Sequence, residues 1–560
     1  MAKTGMLKVS EEVRASFEPI LKGVAAVRGA VASQKDVLAV RPGYYYPTTG
    51  SPVPAVVVAV TPGTAPVDAH DLAHRFGVPV SVIDATVEEQ MLAQTRAKTA
   101  VSFAMPQERA ASAFEQLLTG ESVAEFGPPK GGNYEPLNPP DLPLINESMK
   151  ATICVSPEAG WGELETFLAG TEERLTVAMY QFTAPHIFDA VRKAVSPGDR
   201  TFELVLHPRP EKPPKSGVKA HDLNEEAQVL KPLEKQMKKR FKMSWATLNS
   251  KATPNGLWAS AYHIKVAVRD GNSTWLSSGN WQSSNQPDVH PFASNPGKLP
   301  PGFQRHYNRD YHAVIENESL ASCYETYIKR DYDLTSAQAG GPEAFALPDL
   351  LVPVEAEERV EFAAPPQLFP PLHLNRKIKV QPLLTPDNYA ENALKLIRSA
   401  KQSVWFQNQY INFRGTNEDF TEFRLLVDAL KQKIDAGLDV RIICRDMMKQ
   451  ESVDVLVALG FPRDVMRFQP ACHNKTIIVD GKVVMFGSHN WSNEGVKTNR
   501  DASLIFYDAE IAGYLAKVYD YDWERLATAK PTAARPRVAK KGQPTPAGFQ
   551  RVSYSDVFDD

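Results

Sequence analysis

Cysteine is scarce in this 560-residue sequence: Cys154, Cys323, Cys444 and Cys472 are the only four, and no two stand in CxxC spacing. Neither a disulfide framework nor a cysteine zinc site is therefore expected. No run of about 18 apolar residues is present, so no membrane-crossing helix is expected. Net charge is also small, at −3, which gives no global pull toward polyanions. The opening residues, MAKTGMLKVSEEVRASFEPI, lack the basic start, apolar stretch and small-residue cleavage site of a secretory signal. A cytoplasmic protein is expected, with specialised export left open.

What is present is ordinary globular material, 43% hydrophobic and 23% charged, in a chain long enough for roughly three to four units. Two proline-rich stretches divide it. The reading is a small α/β domain over 1–125, a linker over 126–149, one α/β half over 150–335, a second linker over 336–373, a second half over 374–530 and a disordered tail over 531–560. In the first domain DVLAVRPGYYY and PAVVVAVTPG read as strands, and AHDLAHRFG and EEQMLAQTRAKTAVSFAM as helices. Tyr44, Tyr45 and Tyr46 read as strand packing before they read as a contact surface. This domain has no catalytic spacing. It could recruit a partner, recognise substrate or hold the protein inactive.

The two larger regions repeat each other. RLTVAMYQFT, PHIFDAVRKAV and FELVLHP give strand, helix, strand; QSVWFQNQYI, FRLLVDALKQKIDAG and DVRIICRD give the same order. The alternation predicts two fused α/β halves with parallel sheets. Before the second half, TPDNYAENALKLIRSAK predicts a helix capped at Thr385-Pro386. The strongly basic KPLEKQMKKRFK, 231–242, reads as a helix that is either a solvated face or a contact for phosphate backbones or anionic lipid.

Each half then carries one copy of a polar frame: YHIKVAVRDG at 262–271 and CHNKTIIVDG at 472–481. Strand alternation sends His263 with Lys265, and His473 with Lys475, to one face, opposite Ile264, Val266 and Val268 in the first copy. Asp270-Gly271 and Asp480-Gly481 suit a tight hairpin, so Asp270 and Asp480 read as turn residues before they read as catalytic ones. The return strands match too, through SSGNW (277–281) and GSHNW (487–491), which align Ser278 with Ser488 and Asn280 with Asn490. NRD recurs at 308–310 and 499–501, ending in Asp310 and Asp501.

This constellation resembles the phospholipase D superfamily, whose signature is a doubled His-x-Lys-x4-Asp followed by Gly-Ser-x-Asn. The likeness covers roughly 150–530 and departs from the pattern at Ser277, where the family usually has Gly. It implies two pseudo-symmetric halves around one shared active-site cleft, with the small N-terminal domain in addition. It further implies phosphodiester chemistry through a phosphohistidine, with His263 as nucleophile and His473 as acid and then base. Lys265, Lys475, Asn280 and Asn490 would hold the non-bridging oxygens, Ser278 and Ser488 would add hydrogen bonds to substrate, and Asp310 and Asp501 would orient the imidazoles. No metal or other cofactor is implied.

One loop, 286–307, lengthens the interval from Asn280 to Asn308 by 19 residues over its counterpart, Asn490 to Asn499, and is expected to shape access. His290, His306 and His312 have no ligand spacing and read as loop or strand residues. His489, at the variable position of GSHN, is either a substrate contact or a packed residue. Phospholipid head groups are the first expectation for substrate, with possible peripheral membrane contact. A metal-independent nuclease acting on DNA or RNA is the alternative, and a non-catalytic binding protein is a third reading that the intact His and Lys pairs disfavour.

Overall fold

The computed structural model describes residues 8–47, 49–87, 89–91, 93, 113–119, 132–208, 226–249, 255–299, 302–338, 349–353, 367–413, 421–446, 448, 450–529, 536–539, 544–546 and 549–553. Its spine is a single sheet of 14 strands, built from two sets of seven in the same order. From the middle outward, the first set runs Ile145–Ser156, Asp310–Glu316, Ser273–Ser277, Lys265–Arg269, Arg174–Met179, Thr201–Leu206, Phe241–Trp245. The second runs Leu372–Thr385, Asp501–Phe506, Val483–Gly487, Lys475–Val479, Ser403–Asn408, Asp439–Arg445, Met466–Gln469. The sets meet where Leu372–Thr385 pairs antiparallel with Ile145–Ser156, from Leu372↔Ile153 to Val380↔Ile145.

The outer three strands of each set follow the strand–helix–strand logic and are mutually parallel. The expectation of parallel sheets is corrected here: the hairpins are antiparallel, because a tight turn joins only antiparallel neighbours, and the seam between the two sets is antiparallel as well. Asp270 and Gly271, at φ 52° and 69°, and Asp480 and Gly481, at 52° and 61°, make those turns. The strand Lys265–Arg269 is buried on both faces, with Val266 and Val268 in the core of the seam and Ala267 in the core beneath Trp161 and Trp275.

The linker and tail expectations also need adjustment. The strand Ile145–Ser156 starts inside 126–149, since its apolar residues are needed at the seam. Asp349–Pro353, within 336–373, forms a small sheet with Arg537–Val538 and Phe549–Ser553 from the segment read as a disordered tail. Leu350, which is buried, gives that sheet an apolar anchor. The helix expected to start at Thr385-Pro386 starts later, at Tyr389–Ser399 after Asn388, because Thr385 stays in its strand opposite Asp501.

Near the start of the chain a helix the sequence reading passed over, Glu11–Val31, packs Phe17, Val24 and Val27 onto the three-stranded sheet Val37–Tyr45, Val53–Val60, Val80–Asp84. The helix read at 88–105 lies largely outside the described residues. Tyr44 packs edge-on to Phe17 and tilted against Phe114, Tyr45 is exposed, and the Tyr46 hydroxyl donates to Asp454 Oδ1 at 2.7 Å. Arg41 Nη1 donates to the other oxygen of that carboxylate at 3.2 Å. With these contacts and one continuous apolar core, the N-terminal domain docks on the second half. Among the described residues no helix is long and apolar enough to cross a membrane.

The basic segment 231–242 is not one helix. It leaves Glu226–Met237 through a single 3-10 turn, Lys238–Arg240, and enters Phe241–Trp245. Lys235, Lys238, Lys239 and Lys242 are exposed. Phe241 lies level with Phe202, at the end of the parallel strands opposite Lys265, which stands level with Met179. The solvated basic cluster therefore points away from both histidines.

Candidate active site

The His-bearing segments cross between the halves before any side chain is considered. His263 N donates to Arg500 O at 2.7 Å and Arg500 N to Ala261 O at 3.0 Å. Two-fold related, Arg309 N donates to Ala471 O at 2.9 Å and Asn474 N to Arg309 O at 2.8 Å. Each histidine thus hangs on the NRD segment of the opposite half, and all four His and Lys side chains are buried.

The side chains repeat the exchange. His263 Nδ1 lies 2.6 Å from Asp501 Oδ1, and His473 Nδ1 lies 2.6 Å from Asp310 Oδ1. Burial disfavours both carboxylates as ions, but His473 and Lys475 outweigh it at Asp310, and His263, His489 and Lys265 at Asp501, so both are held below the usual carboxylate range. An ionised acceptor at Nδ1 leaves Nε2 of each ring as the reactive nitrogen. Lys265 Nζ donates to His263 O at 2.8 Å and lies 4.9 Å from the Tyr180 ring; Lys475 Nζ is 3.5 Å from the His473 ring nitrogens.

Ser278 and Ser488 are placed differently from the expectation. Their hydroxyls donate to Asp310 Oδ1 and Asp501 Oδ1, each at 2.7 Å, because a buried ionised carboxylate is the strongest acceptor within reach. They steady the acids that steady the imidazoles. Asn280 Nδ2 donates to Gln181 and Gln282, both at 3.1 Å, and Asn490 holds the equivalent position in the other half. Asp270 and Asp480 sit at the far end of the hairpin from the histidines. Asp270 accepts from the backbone N–H of Glu172, Glu173 and Arg174, and Asp480 from Lys401, Gln402 and Ser403, which ties each turn to the segment entering the neighbouring strand.

Loop 286–307 meets the site at its root. Asn285 Nδ2, just before it, donates to Asp310 Oδ2 at 2.8 Å and lies 3.2 Å from His473 Nδ1. Further out, Asp288 accepts from the Trp161 indole at 3.1 Å and Phe292 is exposed. His290 lies near Glu165 and Asp288, His306 packs under Gly302, and His312 is buried on Asp310–Glu316, so the three do not converge. Among the described residues no group of three or more His, Cys, Asp or Glu is placed to hold a metal.

Sequence reasoning missed the arginines between the chosen Asn and Asp of each NRD. Arg309 is fully buried and binds Glu158 Oε2 at 2.6 Å and Asp522 at 3.1 Å; Arg500 binds Asp331 at 2.7 Å and Asp387 at 2.6 Å. Each links an acid from its own half to one from the other. Their recurrence in both copies of NRD was the available signal.

His312 and His489 are buried, and desolvation pushes their pKa values down to about 4 and about 3. His312 faces Asp310 and His473; His489 faces Asp501, His263 and Lys265. Both rings stay neutral in the fold as the pH drops below about 6.5, whereas the unfolded chain takes up protons there. Stability contributed by each is complete above about 6.5 and is lost on the way down to its folded pKa, by at most about 1.4 kcal/mol per pH unit. Urea midpoints measured from pH 7 to pH 5 should fall, and His489→Gln should fall less steeply; parallel slopes would remove the assignment.

Comparison with known proteins gives three likenesses. Residues 393–523 match the family described as cardiolipin synthase, PLD-like domain. Cardiolipin synthase A of Pseudomonas entomophila (strain L48) is 24% identical over 194 residues, 29% of this chain and 39% of that relative, and its counterpart in Pseudomonas putida (strain GB-1) is 24% identical over 175 residues, 26% and 35%. The chain thus matches well under half the length of these curated relatives. Among solved structures, phosphatidylserine synthase of Haemophilus influenzae Rd KW20 aligns over 69% of this chain and 89% of its own at 11% identity and TM-score 0.43.

Proposed function

We propose that this chain, a member of the phospholipase D superfamily, is a phosphodiesterase-type enzyme that transfers or hydrolyses phosphatidyl groups of phospholipids through a phosphohistidine. The observation that carries this reading is the crossed pairing of His263 with Asp501 and His473 with Asp310, each beside a lysine. A phosphodiester is already anionic, so attack on it needs a nucleophile, a proton donor and fixed positive charge. The paired imidazoles and the two ammonium groups supply all of these.

In this mechanism His263 Nε2 attacks phosphorus, the P–O bond to the departing alcohol breaks, and His473 gives that oxygen its proton. The neutral His473 then takes a proton from water or from a second alcohol, whose oxygen displaces His263 and completes hydrolysis or transfer. Lys265 and Lys475 neutralise the non-bridging oxygens. Asp310 and Asp501, steadied by Ser278 and Ser488, keep each ring oriented. Asn280 and Asn490 help hold the same non-bridging oxygens.

Phospholipid is favoured over nucleic acid on two grounds. The matched curated relatives are cardiolipin synthases, and the basic cluster at 235–242 lies at the wrong end of the strands to lead a nucleic-acid backbone to the histidines. Action at a membrane surface without a spanning helix fits the described residues. Purified protein should convert phosphatidylglycerol vesicles to cardiolipin and glycerol, or to phosphatidic acid and glycerol, with EDTA present, and leave single- and double-stranded DNA and RNA intact. Cleavage of nucleic acid with phosphatidylglycerol untouched would replace this substrate by the nuclease alternative.

A further inference from the structure

Beneath each Ser-x-Asn turn lies a buried imidazole, supplied from different positions in the two halves. In the first, it belongs to His312, two residues beyond Asp310; Nε2 is 2.8 Å from Ser156 Oγ and Nδ1 is 2.8 Å from Ser277 Oγ. In the second, it belongs to His489, inside the turn itself; Nε2 is 2.7 Å from Thr385 Oγ1 and Nδ1 is 2.7 Å from Ser503 Oγ. Ser156 stands opposite Asp310 in the sheet and Thr385 opposite Asp501, so the two hydroxyls are equivalent.

Three further positions have changed places. Ser277, Gly279 and His312 of the first half answer to Gly487, His489 and Ser503 of the second. In both, one imidazole bridges one strand-end hydroxyl and one serine, and one aromatic ring covers it: Trp275 at 5.0 Å and 22° for His312, Tyr389 at 3.5 Å and 5° for His489. The space admits one such arrangement. A Cβ on Gly487 would stand 2.3 Å from Ser503 Oγ, and one on Gly279 would stand 2.6 Å from Asp310 Oδ2. The Ser277 that departs from the family's glycine is therefore the hydroxyl partner His312 needs.

The bridge reaches the reacting groups through the turn. Ser277 Oγ donates to Gly279 O and accepts from Gly279 N, both at 2.8 Å, which fixes the backbone between Ser278, bound to Asp310, and Asn280. His489 fixes the same stretch directly, between Ser488, bound to Asp501, and Asn490. A neutral imidazole offers one donor and one acceptor, and so satisfies two hydroxyls without setting a second cation against the carboxylate that holds the reactive histidine.

We infer that His312 and His489 are equivalent positioning residues, one per half, that hold Asp310 with Asn280 and Asp501 with Asn490 in register with the reactive histidines. This extends the phosphohistidine reading to the groups behind the site and, for its effect on rate, rests on that reading.

The test uses His312→Ala, His489→Ala, His312→Gln, Ser277→Ala and the double variant His312→Ala/Ser277→Ala of the full chain, assayed on phosphatidylglycerol vesicles. Each His→Ala change should lower kcat by about 10–100-fold with KM nearly unchanged, His312→Gln should recover part of the loss, and the double variant should be no slower than His312→Ala. Full kcat in folded alanine variants, or losses that multiply in the double variant, would overturn the inference. Nitrogen-15 spectra of the imidazoles in the wild-type protein need no substrate: His312 and His489 should each show one slowly exchanging N–H and no protonation from pH 8 to pH 5. Protonation of either ring in that range would overturn the bridge even where no lipid is turned over. Lack of turnover on every diester with these spectra intact would count against the proposed function alone.

Discussion

His263→Asn is expected to reduce turnover of phosphatidylglycerol by at least about 10⁴-fold, since it removes the attacking nitrogen and with it the covalent route. The variant should fold, because Asn retains a side-chain donor for Asp501. His473→Asn should behave differently. An activated aryl phosphodiester needs little protonation of its leaving group, so this variant should still form the phosphoenzyme. It should then stall, lacking the base that activates water or alcohol. Labelled phosphate should accumulate on His263 of the His473→Asn protein and be absent from His263→Asn. Label on His473 instead would reverse the two roles. The local geometry is nearly two-fold symmetric, so the direction of attack rests on the family resemblance and is decided by this trapping experiment.

Arg500→Met is expected to cost about 3–5 kcal/mol of unfolding free energy, because two buried acids lose their counter-charge at once. Asp331 is raised above the ordinary carboxylate range by burial even with Arg500 present, so removal of the guanidinium leaves a carboxyl with no good ionised state. Asp387, 2.6 Å from Arg500, loses its ion pair as well. A comparison inside the same chain makes the test specific. Arg376 binds Asp508 and Glu510 on the outside of the seam and is 39% exposed. Solvent screens that pair, and Arg376→Met should cost about 1 kcal/mol or less. Urea unfolding of the two variants side by side measures the difference; equal losses would show that the buried ties do not secure the two halves.

Local features were readable in the sequence and long-range ones were not. The alternation in HIKVAVRD and HNKTIIVD, and the Asp-Gly pairs, announced two strands and two turns, since period-2 burial and positive φ are properties of a few adjacent residues. The repeated NRD drew attention to Asp310 and Asp501, and the family resemblance implied their role as partners for the imidazoles. It did not say which served which, because the crossing arises only when the halves are laid beside each other. Ser278 and Ser488 were assigned to substrate for the same reason: their acceptors lie on another strand. Thr385-Pro386 looked like a helix start by local rule, but its strand continues because Asp501 stands opposite and His489 needs the hydroxyl. The basic run at 231–242 suggested reach toward a polyanion, and only strand direction showed that it lies at the other end.

The crossed pairing also has a bearing on biosynthesis. His263 and Asp501 are 238 residues apart in the chain, and His473 and Asp310 are 163 apart. Contacts of such separation close late, after the loop between them has been ordered. While the ribosome still holds the second half, the emerging first half carries a histidine and a lysine but neither the acid that orients that histidine nor the second imidazole. On the proposed mechanism such a nascent chain lacks its nucleophile–acid pair, so an activity directed at phosphodiesters would remain silent until synthesis has passed Asp501.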